Sequence, residues 1–307
     1  MLIIFNFDEW EDVHGYGYGG ATGPKACKIY QDSIYLIKRQ ERIHDNQYDI
    51  SYVNDPLSEY IGSHIYKICG IPVHETLLGI YKGRLAVACK DFTIETGLPL
   101  VEFRYLKNTI VEDDIEYDIS GMSRSLESIM RAINYLFEGT LLHDTLQRFY
   151  QQFVIDSLIG NCDRNNGNWG YLRSTDNTLI LAPIYDCGGC LNYRRPDYKL
   201  KEDIVDSNRL NNLALNYTLN FTLNGKLVNP FHYIEHNLDN EFIQSGLSTV
   251  KTIDMNSVFS LIDSLCDICI PERIEYYKRI LSLRYDKLLS LTQKIPSNPL
   301  FDAIPIL

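Results

Sequence analysis

The stretch that most constrains this chain is a polar loop that follows an apolar helical segment. Residues 143–159 carry apolar side chains at helical spacing, and Gly160 follows where a helix would end. The loop then contains Asp163 and, five positions later, Asn168. Further along, an apolar run leads to a second aspartate, Asp186. One carboxylate to orient a hydroxyl group, with an amide and a second carboxylate to hold magnesium, is the minimal set for phosphoryl transfer.

A glycine-rich segment near the N-terminus adds a second part of such a site. Residues 15–23 contain five glycines, which let backbone amides approach a phosphate closely. Residues 26–30 read as a strand, and residues 34–38 read as a returning strand that ends at Lys38. This order is typical of the way kinase N-lobes place a phosphate-binding lysine. Without the downstream motifs, an ordinary surface lysine at a strand end is the favoured interpretation of Lys38.

Two further features complete a β-rich N-terminal lobe. A helical pattern over residues 57–70 carries Glu59 early in the helix, where it either pairs with the strand lysine or interacts with the helix dipole. Residues 73–89 read as a hairpin with a tight Lys-Gly turn. Its second strand runs into residues 90–92, where a hinge would offer backbone groups to adenine. We therefore place a lobe boundary near residues 92–94.

The rest of the chain predicts a mainly helical lobe. Residues 93–122 and 192–225 read as irregular, and apolar stripes predict helices at 123–137, 143–159, 232–245, 255–269 and about 272–293. The fold class that follows is α+β, a two-lobed protein-kinase-like fold. We predict a small β-rich N-lobe over residues 1–92 and a larger helical C-lobe over residues 93–307.

Composition and charge narrow the function classes. The net charge of −11 over 307 residues argues against a nucleic-acid binder and against an anionic membrane surface as the partner. No apolar run reaches the roughly 18 residues of a membrane span, and no secretion signal appears, so we expect a cytoplasmic protein. Two C-x-x-C pairs, Cys187 with Cys190 and Cys266 with Cys269, raise the question of zinc. Their separation in sequence favours small buried side chains over a compact zinc site.

Two motifs in combination resemble a known family. The stretches GNCDRNNGNWG at residues 160–170 and LAPIYD at residues 181–186 are similar to those of HipA-type serine/threonine kinases, and most of all to the CtkA-like subgroup. Residues 18–25, 75–79 and 88–92 support this resemblance, which spans roughly residues 15–190. It implies a kinase that uses ATP and magnesium and acts on the Ser or Thr hydroxyl of a protein. The resemblance alone also implies an antitoxin partner.

The resemblance carries over to individual positions. Asp163 would be the catalytic base, and Lys38 would contact the ATP phosphates with Glu59 as its partner. Asn168 and Asp186 would bind magnesium. The other nucleotide contacts that it implies are the glycine-loop residues Gly19, Gly20, Ala21, Thr22 and Lys25, the backbones of Cys89 and Asp91, and the flanking side chain of Tyr185.

The chain departs from the family pattern at two places. Asn165 stands where the family usually has histidine, two positions after the catalytic aspartate. Gly17 stands where HipA toxins have a serine that they phosphorylate, and Thr22 is the nearest hydroxyl in that loop. The sequence therefore does not predict self-inhibition by serine phosphorylation there.

Three functions fit these residues. A protein serine/threonine kinase is the leading hypothesis, a small-molecule kinase of similar fold is the second, and a nucleotide-binding pseudokinase that acts as a binding module is the third. The chain has a complete set of chemical groups in Lys38, Asp163, Asn168 and Asp186, which argues against the third. The Asx-rich loop taken alone also fits a capping motif without catalytic meaning.

Overall fold

The structure is a computed structural model that describes residues 2–13, 26–41, 53–110 and 120–295. The strands are β1 (Phe5–Asn6), β2 (Glu11–Asp12), β3 (Ala26–Tyr30), β4 (Ser33–Arg39), β5 (Thr76–Tyr81), β6 (Arg84–Lys90), β7 (Leu100–Glu102), β8 (Gly170–Arg173), β9 (Leu179–Leu181), β10 (Thr222–Leu223) and β11 (Lys226–Leu227). The α-helices are α1 (Asp55–Ile68), α2 (Phe92–Thr96), α3 (Phe103–Lys107), α4 (Leu126–Leu136), α5 (Gly139–Ile159), α6 (Leu200–Val205), α7 (Ser207–Leu215), α8 (Pro230–Glu235), α9 (Glu241–Lys251), α10 (Met255–Asp263) and α11 (Pro271–Thr292).

The N-terminal lobe is a six-stranded mixed sheet in the order β1-β5-β6-β4-β3-β2. The first strand runs parallel to β5, and the other neighbours are antiparallel. A Cβ at Gly79 of β5 would lie 2.4 Å from the carbonyl oxygen of Phe5, so β1 can approach β5 only because this residue is glycine. The hairpins that the sequence predicts at residues 26–38 and 73–89 are both present.

The two faces of the sheet bury different clusters, and this determines where Lys38 points. Tyr35 and Ile37 of β4 join a cluster with Phe7 and Trp10 on one face. Because side chains alternate along a strand, Leu36 and Lys38 point to the opposite face, which α1 covers. Leu36 packs there against the larger core cluster, which continues without a break into the helical lobe.

The C-terminal lobe is built around α5, a helix of 21 residues that packs against α9 and α11. Its buried side chains are that of Thr145 and most of those from Phe149 to Ile159, and they include one carboxylate, Asp156. Beneath the loop that follows α5 lies a small antiparallel sheet in the order β7-β8-β9. The architecture is therefore α+β, with a β-rich N-terminal lobe and a mainly helical C-terminal lobe, as the sequence predicts. No helix in the described part of the chain is both long and apolar enough to cross a lipid bilayer.

Two segments that the sequence predicts to be irregular contain short helices and strands. Residues 93–122 contain β7 and α3, and the end of α2 also falls there. Residues 192–225 contain α6, α7 and β10. These elements are too short for a hydrophobic period to show, and they depend on long-range contacts such as the pairing of Leu100 with Leu172.

The C-terminal helices also differ in their limits. The single helix predicted at 232–245 is two helices, because Asn240 accepts hydrogen bonds from the backbone of Phe242 and Ile243 and so begins α9. The helix predicted at 255–269 ends at Asp263. In contrast, α11 lies within about one residue of its prediction.

Candidate functional site

Lys38 lies at the centre of an ion-pair network between the two lobes. Its Nζ donates to Glu59 Oε2 of α1 at 2.7 Å and to Asp186 Oδ1 at 2.8 Å. Burial lowers the pKa of Lys38, but the charges of Asp186 and Glu59 outweigh it and hold the pKa well above its usual value. Burial likewise opposes ionisation of Glu59, yet the Lys38 ammonium and the hydrogen bond from His74 lower its pKa. The structure thus brings together three residues from β4, α1 and the segment after β9.

Glu59 is fully buried and held by further donors. Its Oε1 is 3.0 Å from His74 Nε2 and accepts from the backbone N–H of Cys187 at 2.8 Å. Glu59, His74 and Cys89 present metal-ligand atoms within 4.8 Å of one another. Both carboxylate oxygens of Glu59 already accept hydrogen bonds, including one from the Lys38 ammonium. We therefore assign His74 to orienting Glu59 and do not assign a metal site here.

The loop after α5 turns sharply into the site. Gly160 ends the helix at φ +67°, and a Cβ there would lie 2.3 Å from the Arg284 guanidinium. Asn168 Nδ2 donates to the backbone carbonyl of Asp163 at 3.0 Å, so the two predicted functional residues are held together. Burial raises the pKa of Asp163, the charge of Asp186 adds to this rise, and the Arg194 guanidinium opposes it. The structure places Asp163, Asn168 and Asp186 around one cavity.

A buried arginine that the sequence analysis missed fixes this geometry. Arg164 is 1% exposed, and its Nε and Nη2 donate to both carboxylate oxygens of Asp156 at 2.8 and 3.2 Å. Its Nη1 donates to the backbone carbonyls of Asn168 at 2.9 Å and Tyr185 at 2.5 Å. Because Tyr185 precedes Asp186 in the chain, one side chain ties together the segments that carry both predicted magnesium ligands.

The support extends to the N-terminal lobe. Tyr66 Oη of α1 donates to Asp156 Oδ1 at 2.9 Å, and Asn161 Nδ2 donates to the same oxygen at 3.3 Å. The sequence signal for this network was a single carboxylate, Asp156, within the apolar run of α5. Nothing in the sequence separated Arg164 from an exposed loop arginine.

A cavity of about 550 Å³ lies next to the ion pair, under the exit of β6. Its apolar lining includes Leu36, Cys89, Phe92 and Tyr185, and its polar lining includes Lys38, Asp163, Asn168 and Asp186. The Tyr185 ring lies 5.9 Å from that of Phe92, and its hydroxyl donates to the carbonyl of Gly167 at 3.1 Å. We call this the large cavity; it has the size and mixed lining of a small-molecule site.

Asp91 has a structural role at the edge of the large cavity. Its carboxylate caps α2 by accepting from Thr93, and its backbone N–H donates to the carbonyl of Ile34 at 2.8 Å. That N–H is therefore already used and is not a donor for adenine. The predicted glycine-loop residues Gly19, Gly20, Ala21, Thr22 and Lys25 lie outside the described residues.

A second, smaller cavity of about 250 Å³ also contacts the ion pair. Lys38, Asp163 and Asp186 line both cavities. The remaining lining of this small cavity comes from three places: β4 and the residues after it, the start of α1, and the segment after Asp186 (Ile37, Arg39, Glu41, Val53, Asp55, Glu59, Gly188, Gly189, Tyr193 and Arg194). Lys38, Asp163 and Asp186 are therefore shared by two cavities.

One carboxylate of the small cavity makes stability depend on pH. Burial raises the pKa of Asp55, and the nearby Lys38 ammonium lowers it. Burial is the larger effect, so the pKa is about 7. The ordinary pKa is 3.8, so the folded protein binds an extra proton between about pH 4 and pH 7 and loses stability as the pH rises through that window. We expect Asp55→Asn to stabilise the protein by on the order of 1 kcal/mol at pH 8 and to have little effect near pH 4. Thermal unfolding at the two pH values measures this, and an equal effect at both would contradict it.

The two C-x-x-C pairs lie in different surroundings. Cys187 and Cys190 are both fully buried beside α1, and Cys190 Sγ donates to the carbonyl of Ser58. Cys266 is exposed and Cys269 is half-buried, and both lie in the segment between α10 and α11. The first pair therefore lies next to Glu59, whose carboxylate accepts a hydrogen bond from the backbone N–H of Cys187. Burial raises the pKa of both of its thiols.

A mixed sheet and a helical lobe that enclose a Lys–Glu–Asp network define a protein-kinase-like enzyme fold. Comparison with known proteins identifies the family. The family model described as HipA-like C-terminal domain matches residues 18–234. The serine/threonine-protein kinase CtkA of Helicobacter pylori strain J99 is 34% identical over 276 residues, which is 88% of this chain and 81% of CtkA. The chain therefore belongs to the HipA-like kinase family.

Solved structures agree with this assignment. The crystal structure of the Helicobacter pylori proinflammatory kinase CtkA superposes with a TM-score of 0.86 at 30% identity, and all of each chain is covered. The Shewanella oneidensis HipA, from a complex with HipB and operator DNA, gives a TM-score of 0.55 at 14% identity over 95% of this chain and 69% of that chain. This second likeness shows the fold alone. The chain is an enzyme, a kinase.

Proposed function

We propose that this kinase transfers the γ-phosphoryl group of ATP to a Ser or Thr hydroxyl of a protein, in a magnesium-dependent reaction. The observation that carries the proposal is the position of Lys38. It pairs with both Glu59 and Asp186 at the point where the two cavities meet, beside Asp163. We also propose the lobe boundary near residues 92–94, so that the large cavity lies between lobes 1–92 and 93–307.

The large cavity fits a nucleotide. Leu36, Phe92 and Tyr185 offer apolar surface for a base, and Cys89 lies at the same edge. Lys38 supplies a charge for phosphate oxygens, fixed in direction by Glu59. The predicted glycine loop, Gly19 to Lys25, would cover the phosphates.

The residues present fit magnesium. The Asn168 amide and the Asp186 carboxylate offer hard oxygen donors on adjoining segments, as magnesium prefers. When bound, the ion neutralises charge on the phosphates. Arg164 holds both ligand segments by their backbone carbonyls, so the ligands are positioned before any ion or nucleotide binds.

The reaction needs little covalent chemistry from the protein. The acceptor oxygen attacks the γ-phosphorus, and the bond from that phosphorus to the bridging oxygen breaks, so that ADP leaves with the electron pair. The Asp163 carboxylate takes the proton of the acceptor hydroxyl. Asp163 lines both cavities, so it can face an acceptor in the small cavity and a nucleotide in the large one.

The protein acceptor is proposed from the relative, which is described as a serine/threonine-protein kinase. A small-molecule kinase remains the second candidate, because the small cavity of about 250 Å³ would also admit a small alcohol. An antitoxin partner is not proposed, since the likeness to the HipA complex is at 14% identity and carries the fold alone.

Transfer of labelled phosphate tests the proposal. Wild-type protein incubated with γ-labelled ATP, magnesium and a general protein substrate is expected to label Ser or Thr, and EDTA is expected to abolish the labelling because the phosphate charge is then uncompensated. Parallel reactions offer aminoglycosides and simple alcohols. Labelling of these alone would favour the small-molecule kinase. Absence of any labelling, together with no thermal shift by ATP and magnesium, would favour the pseudokinase.

A further inference from the structure

The transferring phosphoryl group of a kinase is stabilised by positive charge, and a cation on the acceptor side can add to the charge on the nucleotide side. Charge develops on the equatorial oxygens in the transition state, and a preorganised cation there lowers the barrier. Asn165 lies two positions after Asp163 in the predicted catalytic loop, and its side chain is uncharged. Its Nδ2 donates to the Asp163 carbonyl at 3.1 Å and its Oδ1 accepts from the N–H of Gly167 at 2.8 Å. Asn165 therefore stabilises the loop and supplies no charge.

Two of the other nearby cations are already committed. Arg164 is 1% exposed, and its guanidinium is used by Asp156 and by the Asn168 and Tyr185 carbonyls. The Lys38 ammonium donates to both Glu59 and Asp186. Neither can turn towards an acceptor in the small cavity without breaking buried ion pairs.

Arg194 differs from these two cations in its exposure and in its partners. It is exposed and lines the small cavity together with Lys38, Asp163 and Asp186. Its guanidinium lies 5.2 Å from the centre of the Tyr193 ring. No carboxylate among the described residues forms a salt bridge with it. A guanidinium can offer a planar pair of donors to phosphate oxygens, which suits this task.

We infer that Arg194 is a catalytic residue that binds the transferring phosphoryl group from the acceptor side and neutralises its charge in the transition state. This inference rests on the proposed function. In the step itself the acceptor oxygen–phosphorus bond forms, the bond to the ADP oxygen breaks, and the acceptor proton goes to Asp163. Arg194 donates hydrogen bonds to the phosphoryl oxygens and exchanges no proton. Arg194 lies in the segment after Asp186, and it thereby supplies a positive charge that Asn165 in the catalytic loop does not.

Steady-state kinetics of Arg194→Ala test the inference. We expect kcat to fall about 100-fold while KM for ATP changes by less than about 3-fold, because the contact forms mainly in the transition state. Arg194→Lys is expected to recover part of the rate, since it keeps the charge but not the planar pair of donors. Lys199→Ala, five positions on, where the ammonium lies over the Tyr198 ring, is the charge-matched control and is expected to match the wild type.

Three results would overturn the inference. Arg194→Ala could turn over at the wild-type rate. It could instead raise KM for the protein acceptor at unchanged kcat, which would make Arg194 a recognition residue. The loss could appear in Arg39→Ala alone, since Arg39 also lines the small cavity. Failure of the wild-type protein to transfer phosphate is a separate outcome, because it would overturn the proposed function and this inference with it.

Discussion

Asp163→Asn is expected to lower kcat for phosphoryl transfer about 1,000-fold and to leave the fold and nucleotide affinity unchanged. An amide cannot accept the proton of the acceptor hydroxyl, and a positioned base contributes on the order of 10² to 10⁴ in rate. Asn168 is held through the Asp163 backbone carbonyl, not through its carboxylate, so the substitution preserves that contact. Single-turnover transfer of labelled phosphate measures the chemical step directly.

The matched control is Asp267→Asn, which makes the same charge change at an exposed position far along the chain. We expect its rate to equal that of the wild type. Thermal shift by ATP and magnesium should be the same for all three proteins, which separates a lost base from lost binding. Transfer by Asp163→Asn within a few-fold of the wild type would show that Asp163 is not the base.

Arg164→Met is expected to destabilise the protein by about 3–5 kcal/mol, the largest effect on stability that we predict. The substitution removes the only guanidinium that pairs with Asp156 in the described network and leaves a buried carboxylate at 1% exposure without charge compensation. It also frees the carbonyls of Asn168 and Tyr185. Urea unfolding monitored by circular dichroism gives the free energy.

The double variant Arg164→Met with Asp156→Leu identifies the cause of this loss. If the uncompensated charge dominates, the double variant should be clearly more stable than the sum of the two single losses predicts. Lys278→Met, which breaks the exposed pair with Asp263, is the contrasting control and should cost less than about 1 kcal/mol. Strictly additive losses would mean that the pair contributes through packing alone.

The same substitution is also expected to lower the activity of the molecules that remain folded. In Arg164→Met the Asn168 and Asp186 segments lose their common support, so activity per folded molecule should fall as well.

The sequence shows Arg164 only as the residue after Asp163, and nothing in it indicates that this side chain is among the most buried. Its burial depends on Asp156 of α5, eight positions earlier, and on Tyr66 of α1, which only the folded chain brings together.

The sequence predicts the helices and strands that are long enough for their hydrophobic pattern to repeat. The apolar stripes at 143–159 and 272–293 predicted α5 and α11, and both hairpins of the N-terminal sheet were recognised from alternation and turn residues. Short elements such as β7 and α3 were not, because each is stabilised by a partner distant in sequence. The break between α8 and α9 was missed since a capping Asn240 within a polar stretch resembles an exposed helical residue.

The sequence by itself determined which chemical groups the candidate site has. Asp163 and Asn168 lie in one short sequence motif and Asp186 lies in another, so the sequence could show all three. Lys38 lies at the end of a strand that the residue pattern alone predicts. Tertiary structure decided which of these groups are charged, fixed or free. Lys38, Arg164 and Arg194 are all cations, and they differ in burial and in partners. These differences come from tertiary packing, which brings Lys38 to Glu59 and Arg164 to Asp156 and leaves Arg194 exposed.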